Sequence, residues 1–297
     1  MNYSEFLEDA VVSLQETMKT KFEDMKIEIS DVEKVQGESY TGLAFRTHAS
    51  NVGVCINPGP YFAMYQQGLP LEDALERLLQ DVMHAMDNPV VSDSVDLKYE
   101  NCRDRLMLEL IPQEGNEEQL KRLPWKPVLD LALIVRIDFG KNENGWSSAV
   151  VSNSMMKGLK VTQEQLFNDA LEAAGRHQPM NIWPMSNFVE GFKETVADEV
   201  MFVASSNDMF MGASVLAYPD FGEKASELLG DDFYIIPSSI HEVILVPERK
   251  CPDAQMLPFI VKMVNMQEVA PEDRLSDNVY FYSREKQKIC KYEVPVF

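Results

Sequence analysis

Apolar residues recur three and four apart through the first segment: Phe6, Leu7, Ala10, Val11, Leu14, Met18 and Phe22. That is the period of one helix face. Asn2 and Glu5 stand where a reciprocal cap would close its first turn, although Ser or Thr is favoured at the first of those places. The pattern then changes to strict alternation over residues 26–35, with Ile27, Ile29, Val32 and Val35 on the apolar side. This predicts a half-buried strand with an irregularity in mid-course. Residues 40–47 and 51–56 continue as two further strands of a meander, and Asn57-Pro-Gly-Pro60 predicts the turn that closes it.

The clearest periodicity lies between residues 70 and 86. Leu71, Ala74, Leu75, Leu78, Leu79, Val82, Met83 and Met86 hold a helical stripe for four turns. His84 lies opposite that stripe and is expected at the surface. Residues 88–96 are polar and acidic, so a module boundary is placed there. Beyond it, 105–111 predicts a strand stopped by Pro112, 117–123 a short helix, and 128–139 one long central strand. Residues 140–145 form a hairpin-type turn into a strand over 147–151. Thr162 and Gln165 cap a helix that Gly175 is expected to end. Residues 200–204 and 212–218 read as strands, 221–229 as a helix stopped by Gly230, and 233–236 and 243–246 as buried strands. Residues 254–266 read as a helix whose start Pro258 displaces or which it kinks, and 278–283 with 288–292 as a closing hairpin.

Strands thus come in pairs or triplets separated by single helices. That order predicts an α+β protein of antiparallel sheets with single helices packed on them. Two α+β modules are expected, over residues 1–92 and 93–297.

Hydrophobic residues make up 45% and charged residues 25%, enough apolar surface for a packed core. The net charge of -21 changes the list of partners. Phosphate neutralisation dominates nucleic-acid affinity, so no nucleic-acid partner is expected. Anionic membrane surfaces are disfavoured for the same reason. The charge concentrates at the front, where residues 1–100 hold 18 acidic and 7 basic residues. The opening residues are acidic where a secretory leader would be basic. Cys55, Cys102, Cys251 and Cys290 show no CxxC spacing, which points to reduced thiols in the cytoplasm. Neither a Gly-x-Gly-x-x-Gly nor a phosphate loop is present. The four histidines form no His-x-x-x-His pattern, so neither a cofactor nor a metal is expected.

The densest chemistry is Pro237-Ser-Ser-Ile-His-Glu242, which supplies nucleophiles in Ser238 and Ser239, a base in His241 and a carboxylate in Glu242. A triad needs the base to touch the serine and the carboxylate to orient the base. Neighbours on a strand point to opposite faces, and the serines lack a Gly-x-Ser-x-Gly elbow. The plainer reading is a turn whose hydroxyls satisfy backbone groups. Asp130, Arg136 and Asp138 border the apolar strand and read either as a polar site or as the strand's ends. The 17 methionines include Met185, beside Trp183 in an apolar loop without periodicity. Exposed, Trp183 and Met185 would form a partner-binding surface; packed inward, they would be core.

Four stretches resemble a family of uncharacterised bacterial proteins, domain of unknown function family 5688, associated mainly with anaerobic gut Firmicutes. They are Val128-Leu-Asp-Leu-Ala-Leu133, Met211-Gly-Ala-Ser-Val-Leu-Ala-Tyr-Pro219, Tyr234-Ile-Ile-Pro-Ser-Ser-Ile-His-Glu-Val-Ile244 and Leu275-Ser-Asp-Asn-Val-Tyr-Phe-Tyr282. The resemblance spans nearly the whole chain and carries over no activity, cofactor or site residue. Three readings of function follow. The first is a non-enzymatic cytoplasmic binding or adaptor protein with a protein partner. The second is a hydrolase or transferase using the Ser-Ser-Ile-His-Glu segment, so whether the chain is an enzyme stays open. The third is an acidic mimic of DNA.

Overall fold

The computed structural model describes residues 1–18, 24–32, 39–46, 54–87, 97–142, 145–188, 199–237 and 239–294. The chain divides into two compact units, 1–97 with 139–148, and 98–138 with 149–297. Both are built from antiparallel sheets and helices, an α+β architecture.

The first unit opens with α1 (Tyr3–Met18), followed by β1 (Lys26–Val32), β2 (Tyr40–Arg46) and β3 (Val54–Ile56), then α2 (Gly59–Gln66) and α3 (Leu71–Asp87). The cap on α1 is reciprocal. Glu5 N–H donates to Asn2 Oδ1 at 3.0 Å and Asn2 N–H to Glu5 Oε2 at 2.9 Å, so two orphan donors of the first turn are satisfied. The strands pair in the order β1-β2-β3. Leu7, Ala10, Leu14 and Met18 of α1 meet Ile27, Leu43 and Phe45 of the sheet and Leu78 and Val82 of α3 in one core. Two expectations change. Ile29 is exposed rather than on the apolar side. Asn57-Pro-Gly-Pro60 does not simply close the sheet: Asn57 Oδ1 accepts Gly59 N–H at 2.9 Å and Pro60 sits in the first turn of α2, where its fixed φ and missing N–H suit a helix start. His84 is exposed, as its place on the helix predicts. Phe22, Val35 and the proposed boundary at 88–96 lie outside the described residues.

The chain continues with α4 (Tyr99–Cys102), β4 (Leu106–Pro112), α5 (Glu117–Leu120), β5 (Trp125–Val128), β6 (Leu131–Asn142) and β7 (Gly145–Val150), of which the end of β6 after 138 and β7 up to 148 belong to the first unit and the rest to the second. β6 is central, pairing with β4, β5 and β7. The single strand expected over 128–139 is therefore a hairpin and a strand. Leu129 adopts a left-handed conformation, φ 58°, and turns β5 back onto β6. α6 (Asn153–Leu159), absent from the periodicity, starts where Ser152 Oγ accepts Met155 N–H at 3.1 Å. α7 (Gln163–His177) starts on Thr162, whose Oγ1 accepts Gln165 N–H at 3.2 Å, and runs through Gly175 instead of ending there. Behind it, the buried Gln178 side chain bonds Leu108: Oε1 accepts its N–H at 3.0 Å and Nε2 donates to its carbonyl at 3.5 Å. It serves the backbone of β4 as a neighbouring strand would.

The remaining elements are β8 (Met180–Pro184), β9 (Phe202–Ser206), α8 (Phe221–Leu229), β10 (Phe233–Ile236), β11 (Val243–Pro247), α9 (Leu257–Glu268), β12 (Tyr280–Ser283) and β13 (Lys288–Lys291). The strands form a six-stranded sheet in the order β13-β12-β10-β11-β9-β8. On one side, Phe233 stacks on Tyr282 and meets Phe221 of α8 edge-on. On the other, Leu257 and Val261 of α9 pack on Tyr234, Val246 and Val279. Residues 212–218, expected as a strand, form a 3-10 helix over Gly212–Ala217. Trp183, expected in a loop, is on β8.

Candidate functional site

Two polar nodes form where loops meet the strand ends of the second unit. The first is centred on His241. Its Nδ1 accepts Met211 N–H at 3.3 Å, which leaves the ring proton on Nε2, 3.4 Å from Asp273 Oδ1. The Phe210 ring lies 6.1 Å away, tilted over the imidazole. Ser239 Oγ accepts the backbone N–H of His241 at 3.0 Å. Burial pushes the Glu242 carboxyl above its ordinary value, against the opposing pull of His241 and Ser239. The Ser–His–carboxylate residues named from the sequence thus gather in one place, but Ser239 meets the His241 backbone and not its ring. The ring instead takes Met211 N–H at Nδ1 and faces Asp273 with Nε2. Ser238 lies outside the described residues.

The loop that His241 holds is unusual. Met209 and Met211 both have left-handed backbones, φ 53° and 52°, a conformation costly for side chains of that size. Gly212 follows because nothing larger fits: a Cβ there would stand 2.6 Å from His241 O and 2.7 Å from Ser206 N. Ser205 Oγ donates to the same His241 carbonyl at 2.7 Å.

Beside this node, β4 and β6 bury an ion pair. Arg136 Nη1 donates to Glu109 Oε2 at 2.9 Å. Leu108 faces Val135 across the ladder, so Glu109 and Arg136 are diagonal neighbours on one face. Burial raises the Glu109 carboxyl above its ordinary value, while Arg136 and then His241 pull it down. Glu109 and Asp273 are the charged members of this region that the sequence reading missed. A lone Glu in Leu106-Met-Leu-Glu-Leu-Ile111, set against a lone Arg in β6, was the available signal for the first. Asp273, far along the chain, offered none.

The second node answers the question of Asp130. Its carboxylate accepts Tyr280 Oη at 2.7 Å, and Ser276 Oγ and Asn278 Nδ2 at 2.9 Å each. Burial acts to raise its pKa, but these bonds outweigh it and hold the group below the usual carboxylate range.

Trp183 and Met185 sit at the sheet edge, both half-buried. Trp183 faces Val203, which faces Ile244, so it shares the sheet side that α9 covers. Phe188 packs edge-on against it at 6.2 Å and is itself exposed, as are Val200 and Met201. Met185 N–H donates to Met201 O at 2.9 Å, extending the pairing beyond β8. Among the described residues, no three His, Cys, Asp or Glu side chains group to hold a metal ion. No helix among them is long and apolar enough to cross a membrane.

Fold and nodes define an antiparallel α+β protein whose loops are tied by histidine–carboxylate and aspartate–hydroxyl contacts. Residues 3–284 match the Family of unknown function (DUF5688), and the chain belongs to that family. No curated protein and no solved structure matches it. The four stretches that carry the resemblance meet pairwise here. Residues 211–219 join 234–244 at His241, and 128–133 join 275–282 at Asp130.

Proposed function

We propose that the chain is a non-enzymatic binding protein of the bacterial cytoplasm that holds a partner protein along the β8 edge. The observation that carries this reading is the edge itself. β8 is the last strand of its sheet, with no strand on its outer side among the described residues. It presents the half-buried Trp183 with the exposed Phe188 and Met201 beside it. An edge strand offers a row of backbone donors and acceptors that an extended segment completes, while side-chain pockets supply specificity. Trp is among the residue types most enriched at the energetic hot spots of interfaces. Pro179 and Pro184 bracket the strand, which keeps the open edge short. The net charge of -21 favours a partner segment with basic flanks and disfavours nucleic acid. The four free cysteines are consistent with a reducing compartment.

The test is quantitative affinity capture from the native host with wild type and Trp183→Ala. The variant should keep its circular dichroism spectrum and lose the specific partner at least ~30-fold, the equivalent of a hot-spot loss of about 2 kcal/mol. Equal recovery by both proteins would contradict the proposal.

One observation favours a second reading, hydrolase or transferase chemistry: the His241 ring is partly exposed and stands on Asp273. That chemistry requires Nδ1 to release Met211 N–H and Ser239 Oγ to release the backbone N–H of His241. A serine-directed phosphonate that labels wild type but not Ser239→Ala would favour it over binding.

A further inference from the structure

The buried stripe of α9 is Leu257, Val261 and Asn265, four residues apart. The outer half of the helix and its N-cap are also largely apolar, with Gln267 the polar residue among them. Met256, Phe259, Ile260, Met263, Val264 and Met266 all point to solvent, with exposures from 39% at Met263 to 63% at Met266. At 100° per residue these six fall within one half of the helix wheel, and none is charged. A helix with apolar faces on both sides is one that is covered on both sides. The inner face is covered by the sheet.

We infer that a second copy of this chain covers the outer face, giving a two-fold dimer through α9. Two observations select that occupant. The first is area. The six side chains together expose the equivalent of about three whole ones, on the order of 600 Å² at roughly 200 Å² each. Two copies that cover each other's face fully remove up to about 1,200 Å² of apolar surface from water, which reaches the lower bound of ~1,200 Å² for a specific interface. Charge then sets where the copies meet: two molecules at -21 repel each other, and this uncharged face is where they approach without desolvating an ion. The second observation is shape. One helix face packed on its own copy is self-complementary about a two-fold axis, so the contact closes and leaves no apolar surface for further growth. Met256, Met263 and Met266 suit such a contact, because unbranched side chains adjust to their own copies. This surface is separate from the β8 edge, so the two proposals stand or fall independently.

Sedimentation equilibrium of the full chain decides it. Wild type should approach twice 33.8 kDa at micromolar concentration. Phe259→Glu should sediment at 33.8 kDa with unchanged circular dichroism. Each substitution enters a two-fold interface twice, so the dimer dissociation constant should rise at least ~100-fold. Lys262→Ala, on the same helix but outside the face, should stay dimeric, and Met266→Ser is a milder second variant that should weaken the dimer without adding charge. Wild type that remains at 33.8 kDa up to high micromolar concentration overturns the inference. So does a dimer that survives both Phe259→Glu and Met266→Ser.

Discussion

A single arginine inside an apolar strand sets the terms for Glu109. The pair is almost fully buried, with 16% of the Arg136 side chain and 5% of the Glu109 side chain exposed. Two charges taken out of water lose hydration that their attraction only partly returns. Burial wins at Glu109, whose carboxyl titrates above its ordinary range. A carboxyl raised in the folded state adds stability that is complete below its unfolded pKa. That contribution is lost as the pH rises through the folded pKa. Arg136→Met removes the counter-ion and raises Glu109 further. The variant should lose about 3–5 kcal/mol in urea unfolding at neutral pH, the cost of an uncompensated buried charge. The loss should shrink as the pH falls and Glu109 takes up its proton. A loss of the same size at low and neutral pH would show that packing, and not charge, is what Arg136 supplies. The sequence displayed both residues as lone charges in apolar strands. It did not display their pairing, because the ladder that makes them diagonal neighbours joins segments 27 residues apart. Ser239, His241 and Glu242 were visible as a cluster for the opposite reason, being adjacent in the chain. The partners of the His241 ring, Met211 and Asp273, come from loops on either side.

At the scale of elements, local chemistry was legible and tertiary demand was not. The caps at Asn2 and Thr162, the stop at Gly230 and the stripe of α3 all rest on residues within one or two turns, and the structure repeats them. The differences arise where packing overrides local preference. Gly175 stays helical because Ala173 and Ala174 beside it are buried. Residues 212–217 are apolar enough for a strand but coil into a 3-10 helix. Gly212 is wedged against His241 O and Ser206 N, and Ala213 N–H donates to Ile240 O at 3.1 Å. That wedge yields a prediction at this scale. Gly212→Ala places a methyl group within 3 Å of two backbone atoms that cannot swing away. It should destabilise the second unit by at least ~2 kcal/mol, in the range of overpacking. Gly212→Ala/Ser205→Gly, which relieves only the side-chain clash, should recover little of that loss. Wild-type stability of the single variant would show that the 205–212 loop is not held as tightly as the His241 node implies.

At the scale of the whole molecule, the division into compact units is not a single cut along the chain. An acidic stretch at 88–96 invites a cut into modules of 1–92 and 93–297. The compact units instead exchange the chain three times, after 97, 138 and 148. The end of the β6–β7 hairpin thus belongs with the first unit. Periodicity could not reveal this, since it records which residues are buried and not which unit buries them. Composition spoke at this scale too. The charge of -21 restricts both proposed contacts to apolar ground, the β8 edge and the outer face of α9. The most direct test of the central claim is site-specific photo-crosslinking in the native host, with Phe188→benzoylphenylalanine and, as control, His84→benzoylphenylalanine on the exposed side of α3. A discrete adduct with a different protein is expected from position 188 and none from position 84. No adduct from position 188, or one that joins only two copies of this chain, would contradict it.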